Sequence, residues 1–485
     1  MKGYWFLLLT FLFSELSAQE TWRGSMELQG TATSKDHVPF WLRSNTYGNK
    51  PLAGISGAAI GSLYRDYDTV SNKLADWGIG AKLRFNAGNK VNAVLIEGYA
   101  KAALSIFEIK AGRFTDVMGL VGDTGLSSGA FSVSGNALGI PQVKLSVPEY
   151  FTLPILGDLF AFKGSFSHGW LGRLPLQYNL GGSTATSTIT YFHQKSLYGR
   201  FGKPSWRMKL YGGFNHQAYW GNEKDIFGTN STLSKFRSFT YVVFGKKDQE
   251  SKVGNHLGSL DLGLEYEFNN TRLMVYRQSL YDVGGLYYLA NIADGLNGIT
   301  LTNTREQGSG LQWKKLLLEF FYTKNQGGYP WSRRTPSGDE DYYNNYIYAS
   351  GWSYQSEGIG NPLITPGHYA REGLPAHPSD YFINNRIVAL HAGFELGSPS
   401  LNIRGKVSYS KNYGTFGTSI YGHSTGDFWD PPVYPPFPSL SQFSGYLDVS
   451  YLSKNGLIIG ATAAADAGKL YYNSAGVVIR VAKTF

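Results

Sequence analysis

Hydrophobic and polar residues alternate with a period of two along much of this chain. The clearest run sets Leu260, Leu262, Leu264, Tyr266 and Phe268 against Asp261, Gly263, Glu265 and Glu267. Leu401, Ile403, Gly405, Val407 and Tyr409 oppose Asn402, Arg404, Lys406, Ser408 and Ser410 in the same way. Shorter runs pair Leu447, Val449 and Tyr451 with Asp448 and Ser450, and Phe107, Ile109 and Ala111 with Glu108 and Lys110. Successive strand side chains point to opposite faces, so each run predicts a strand that is apolar on one side and polar on the other. A soluble sandwich and a membrane barrel both produce this pattern, and the alternation alone does not choose between them. Residues 51–63 read as a short helix or a strand with Gly kinks, and no convincing helical run follows Gln19.

The two ends change the picture. Lys2, the apolar run Tyr4 to Phe13, and small Ser17 and Ala18 before Gln19 have the three parts of a secretory signal. The expected division is a cleaved signal peptide at 1–18 and a single domain at 19–485. The apolar run falls short of the about 20 residues a membrane anchor needs. With Cys 0, neither lipid attachment at a cleavage-site cysteine nor a disulfide is open to the chain. At the other end Phe485 shares a strand face with Val481, Ile479 and Val477, while Thr484, Ala482 and Arg480 lie opposite. A terminal aromatic on such a strand resembles the signal that bacterial barrel-assembly machinery reads. Lys483 departs from the pattern by falling on the apolar face, where a lysine near a strand end can snorkel to the interface.

Composition then favours the barrel. Mean hydropathy is −0.22, and no later stretch approaches the roughly 18 apolar residues of a spanning helix. Gly 60, Tyr 34, Phe 29 and Trp 11 suit a barrel with tight turns and aromatic girdles. At about 9 to 11 residues per membrane strand, the chain fits an all-β, large antiparallel transmembrane β-barrel of about 16 to 18 strands, of porin-like size, in the outer membrane. Residues 326–385, rich in Trp and Tyr, and the Pro-rich stretch within 427–438 read as long extracellular loops that face outward or fold into the lumen.

Signals for enzyme chemistry are thin. Gly125, Ser127 and Gly129 match G-x-S-x-G, a pattern that arises by chance in so glycine-rich a chain, without the strand–turn–helix context it needs. The His residues are dispersed, no phosphate-cradling Gly loop precedes Lys-Ser or Lys-Thr, and neither a metal nor a cofactor is expected. A barrel hydrolase would need His168 joined with Ser165 or Ser167 on the exterior. The formal charge of +9 suits an anionic partner such as an acidic polysaccharide or lipopolysaccharide phosphate, and equally suits charges spread over lumen and loops. Nucleic acid is excluded by compartment. Short clusters combine aromatic or imidazole rings with amides or charges: Trp41 to Asn45, His168 to Trp170, Asn215 to Trp220, Asn255 to His256, and Asn384 to Arg386. A sugar offers an apolar ring face and a rim of hydroxyls, so its sites need both. Aromatic belts and lumen networks use the same residue types.

These clusters, in order, resemble the capsule-assembly proteins of the Wzi type, in the versions found in Bacteroidetes-like bacteria. The resemblance runs from Pro39-Phe40-Trp41-Leu42-Arg43-Ser44-Asn45 through Ser134-Gly135-Asn136, Pro148-Glu149-Tyr150 and His168-Gly169-Trp170. It continues through Gly213-Phe214-Asn215-His216, Gly254-Asn255-His256-Leu257-Gly258, Tyr276-Arg277-Gln278, Tyr343-Asn344-Asn345-Tyr346, Gly351-Trp352-Ser353-Tyr354 and Asn385-Arg386 to Ser410-Lys411-Asn412-Tyr413. It implies an outer-membrane lectin that attaches or assembles capsular or exopolysaccharide without chemical change. The residues it points to are Trp41, Arg43, Asn45, His168, Trp170, Asn215, His216, Trp220, Asn255, His256, Arg277, Tyr343, Asn344, Trp352, Tyr354 and Arg386. Partners expected on this reading are the polysaccharide, outer-membrane lipid or lipopolysaccharide, and the barrel-assembly machinery. A porin for small solutes or glycans is the alternative, motivated by charged inward faces such as Glu265 and Glu267 or Arg404 and Lys406.

Overall fold

The computed structural model describes residues 21–485 apart from 69–72, 178–180, 249–250, 283, 307, 333–337 and 426–427. The expected signal peptide at 1–18 lies outside the described residues. An 18-stranded antiparallel sheet closes on itself. In chain order its strands are β1 (Trp22–Thr33), β2 (Ile55–Arg65), β3 (Ala75–Ala87), β4 (Val91–Leu104), β5 (Phe107–Arg113), β6 (Gln142–Thr152), β7 (Phe160–Pro175), β8 (Ser187–Phe201) and β9 (Met208–Trp220). They continue as β10 (Asn255–Glu267), β11 (Thr271–Tyr281), β12 (Gly295–Asn303), β13 (Gln312–Tyr322), β14 (Ile387–Gly397), β15 (Leu401–Asn412), β16 (Leu440–Leu452), β17 (Leu457–Gly468) and β18 (Ser474–Thr484). Each strand pairs with its sequence neighbour, and β1 pairs with β18 from Ser25↔Thr484 to Thr33↔Gly476 to close the wall. Beyond that ladder, Phe485 and Gly24 exchange backbone hydrogen bonds of 2.9 and 3.1 Å. Residues 51–63, left between helix and strand by pattern alone, fall largely in β2.

Alternation sets the two faces of the wall. Leu260, Leu262, Ile299, Leu318, Leu447, Ile479 and Val481 are exposed on the outer face, whereas Asp261, Thr300, Glu319, Asp448 and Val478 are buried on the inner one. Lys483 lies at the outer face's lower end with its ammonium 5.6 Å from the Phe485 ring. Among the described residues no helix is long and apolar enough to cross a membrane. The inward charges flagged in the sequence are largely paired: Lys209 lies 3.5 Å from Glu265 and from Glu267, and Arg404 lies 3.6 Å from Glu395.

The chain ends lie at one rim, and the long loops 34–54, 114–141, 221–254, 323–386 and 413–439 lie at the other with the short β3–β4 and β17–β18 turns; that rim is the extracellular side in such barrels. Segment 114–141 descends into the barrel and is pinned across it. Leu120 N donates to Asp261 on β10 (2.7 Å), Ser132 Oγ to Asn215 on β9 (2.7 Å), Phe131 N to Gln278 on β11 (3.1 Å), and Ser128 to Glu319 on β13. His391 on β14 contacts Leu126 O at 2.6 Å. Loop 323–386 packs on this plug. Trp352 stacks on Tyr219 of the inner wall (4.5 Å, 18°) and donates its indole N–H to Ser132 O at 2.8 Å. Tyr343 OH donates to Phe131 O, and a Cβ at Gly360 would collide with both of those groups. The largest apolar cluster of the molecule, including Phe40, Trp41, Phe131, Tyr342, Tyr343, Trp352 and Phe382, therefore sits inside the barrel.

One element departs from the sequence reading. A ten-residue helix, α1 (Lys235–Phe244), stands in the 221–254 loop, with Ser234 Oγ accepting from Arg237 N and Gly245 in the left-handed region (φ 61°) ending it. Its Phe236, Phe239, Tyr241, Val242, Val243 and Phe244 favour strands locally. The caps and packing against the wall override that preference.

Candidate functional site

At the extracellular rim, the 34–54 loop, the turn between β3 and β4, His368 and Tyr369 of the long loop, and the β17–β18 hairpin enclose a cleft of about 300 Å³. A turn of helix, Phe40–Arg43, positions its central cation: Phe40 N donates to Asp466 at 2.8 Å, anchoring the turn on β17. The Arg43 guanidinium lies 3.5 Å over the Tyr369 ring and 5.2 Å from that of Tyr471, which stacks on Phe40 at 5.5 Å and 13°. Among the described residues no carboxylate forms a direct ion pair with Arg43; aromatic faces seat the guanidinium, and the Asp466 carboxylate of the same cleft acts on its charge from further away. His37 stacks flat on Tyr472 (4.2 Å, 3°).

Lys50 and Lys90 also line the cleft. Lys50 pairs with Glu357 and donates to Tyr369 OH (3.1 Å). Burial alone would lower its pKa, but the neighbouring Tyr369 and Glu357 raise it overall. His368 is pushed below the ordinary histidine value by burial. The cleft thus joins fixed cations, flat aromatic faces and acceptors at Asp36 and Asp466, donor and stacking chemistry suited to a sugar ring bearing a carboxylate.

Of the residues expected to bind glycan, Arg43 stands in this cleft and Trp41 lies just beneath it, 2 % exposed, with the Lys406 ammonium 4.2 Å over its ring. Others secure the plug. Asn45 Nδ2 donates to Ser128 O (3.0 Å), and Asn215 Oδ1 accepts from Ser132 Oγ (2.7 Å). Asn344 Nδ2 donates to Phe382 O (3.0 Å), Tyr354 OH accepts from Arg113 (3.2 Å), and Arg386 lies 4.1 Å over Phe416. Tyr343 and Trp352 are buried there too, and Asn255 is buried at the top of the inner wall.

His168, Trp170, His216, Trp220, His256 and Arg277 lie on the outer wall instead, sharing strand faces with exposed Phe166, Leu210, Leu260 and Val275. Ser165 and Ser167 point inward from β7, Ser165 contacting Ser196 at 2.9 Å and Ser167 buried, so they and His168 are on opposite faces. Ser127 of the G-x-S-x-G match donates to Glu319 at 2.6 Å, a plug contact. Among the described residues no group of His and carboxylates has metal-holding geometry.

His37, Lys50, Lys90, His368, Tyr369, Tyr471 and Tyr472 were not among the sequence candidates. The adjacent Tyr471-Tyr472 pair in a short hairpin was the one local signal. Their convergence depends on the β1–β18 seam, where Ser34 N donates to Ala475 O at 2.7 Å.

A family profile described as "Capsule assembly protein Wzi" matches residues 23–391. Among solved structures the fold is similar to Wzi of Escherichia coli, described as an outer membrane protein involved in group 1 capsule assembly and a carbohydrate-binding β-barrel. The identity is 11%, covering 98% of this chain and 87% of that one, with a TM-score of 0.54. OccAB2 of Acinetobacter baumannii (10% identity, 96% and 98% covered, TM-score 0.46) and OprD of Pseudomonas aeruginosa (10%, 96% and 94%, 0.43) are also found. No curated protein matches the chain.

Proposed function

Because this outer-membrane barrel belongs to the Wzi capsule assembly family, we propose that it holds a capsular or exopolysaccharide at the cell surface as a lectin, without making or breaking bonds in it. The observation that carries this reading is the Arg43 cleft, a cation seated on aromatic faces without a direct ion pair, at the extracellular rim of a barrel whose lumen is filled. Aromatic faces would take the apolar side of a sugar ring, and Arg43, Lys50 and Lys90 would take hydroxyls and a carboxylate. A filled lumen argues for holding a polymer over passing solutes. Of the residues the sequence pointed to, Arg43 makes the direct contact on this proposal. Trp41, Asn45, Asn215, Tyr343, Asn344, Trp352, Tyr354 and Arg386 support it by fixing the plug. Biogenesis would use the secretory route and the barrel-assembly machinery.

The test is glycan retention. A deletion strain complemented with the wild-type gene should keep its surface polymer cell-bound, and one complemented with Arg43→Ala should shed it into the medium. Purified barrel should bind the shed polymer. Full retention in the deletion strain, with no binding by purified protein, would sink the proposal, and steady conductance in planar bilayers would support the porin instead.

A further inference from the structure

Four imidazoles stand side by side on the outside of the wall: His168 on β7, His193 on β8, His216 on β9 and His256 on β10. The strand register pairs His168 with His193, and His216 contacts His256 at 2.7 Å. Lys195 of β8 shares their face. Below this row the same face carries exposed Phe166, Leu197, Leu260 and Leu262, the apolar band of a membrane wall. The row therefore lies at the outer-leaflet boundary, where the surroundings turn from hydrocarbon to headgroup.

Helix α1 bends down over this row. Phe239 contacts the His168 and Trp220 rings at 5.5 and 5.6 Å, and Val242, Leu233, Val253 and Ala218 form a small apolar cluster beneath it. The Lys195 ammonium donates to Val243 O in the last turn, a cation at the negative end of the helix. The opposite face has nothing over it. Phe236 and Phe244 are 74% and 72% exposed, beside exposed Lys235, Arg237, Lys246, Lys247 and Lys252. Arg237 and Lys246 flank the Tyr241 ring at 5.8 and 5.9 Å. Among the described residues none of these five cations forms an ion pair.

We infer that α1, with Lys246, Lys247 and Lys252 beyond it, is a docking surface for the phosphorylated headgroup of an outer-leaflet lipid. The cations take the phosphate, and Phe236 and Phe244 enter the acyl boundary. Exposed Phe beside clustered Lys and Arg on a short helix is the chemistry of interfacial lipid binding. Cations near such a surface each add to the attraction for an anionic lipid. The surface is independent of the rim cleft, so glycan binding and lipid binding can fail separately.

Native mass spectrometry of the full barrel in detergent tests it, with bis-phosphorylated lipid A and zwitterionic phosphatidylcholine as probes. Wild-type protein should retain lipid A in preference to phosphatidylcholine. Combined Lys235→Gln, Arg237→Gln, Lys246→Gln and Lys247→Gln should lower lipid A retention by about tenfold or more, with heat-modified electrophoretic mobility unchanged. Combined Lys235→Arg, Lys246→Arg and Lys247→Arg should keep the preference. Phe236→Ser with Phe244→Ser should weaken both lipids. Equal retention of the two lipids by wild-type protein, or undiminished lipid A on the neutralised variant, overturns the inference.

Discussion

Glu319 on the inner wall accepts two hydrogen bonds from one residue of the inserted segment, from Ser128 N at 2.7 Å and from Ser128 Oγ at 2.6 Å. Ser127 Oγ and Tyr276 OH complete its coordination. A single buried carboxylate thus ties the plug to β13. Glu319→Ala leaves those donors buried without an acceptor, at a cost of about 3 kcal/mol. Its expected signature is a lower temperature for the folded-to-unfolded shift in electrophoresis, with brief openings in bilayer recordings where wild-type protein should be silent. Unaltered unfolding and silence would mean the plug is held elsewhere.

Trp352 joins both plug segments to the wall, stacking on Tyr219 and donating to Ser132 O while 0% exposed. Replacing it with Ala should cost about 3 to 5 kcal/mol. Limited proteolysis reads the consequence, since loop 323–386 should become cleavable in otherwise folded barrel.

For Arg43, the guanidinium's flat seat on Tyr369 makes lysine a poor substitute. Polymer affinity should fall about ten- to hundredfold in Arg43→Ala, equivalent to about 1.4 to 2.7 kcal/mol, and recover only partly in Arg43→Lys. Binding to immobilised polymer at rising salt supplies the check, because an ionic contact also predicts weakening with ionic strength.

His423 in the 413–439 loop contacts Asp339 of the long loop and lies 3.7 Å from Asp341. Burial would lower its pKa, but the hydrogen bond to Asp339 and the charges of Asp341, Asp339 and Asp380 raise it to about 9. A histidine whose folded pKa is raised contributes stability that is full below about 6.5 and disappears as pH climbs through about 9, on the order of 3 kcal/mol here. Ser424 N donates to the same Asp339 carboxylate. Its amide exchange, corrected for intrinsic rate, should therefore accelerate between pH 6.5 and 9.5 in wild-type protein and show no such step in His423→Gln.

The wall was readable because its physics is local. Leu260 and Leu262 against Asp261, or Val477 and Ile479 against Val478 and Arg480, announce their faces within a few residues, and β10 and β18 follow those patterns. The plug was not readable at that level: nothing near Trp352 indicates that its partner is Tyr219 or its acceptor Ser132. His168 and Trp170 share parity with Phe166, so their outward orientation could have been read by counting, but ring-plus-amide chemistry looks alike on both faces. Arg43 was legible within its own motif, whereas the rings of Tyr369 and Tyr471 that seat it come from a loop and a hairpin distant in sequence.

The cleft at the rim straddles the seam between β1 and β18. His37 follows β1 and Tyr472 precedes β18, so their stacking is a contact that an unclosed cylinder lacks. On the proposed function, capture of polymer would be confined to barrels whose wall has closed. A barrel with an open seam would present half of that cleft, so binding would report on closure of the wall.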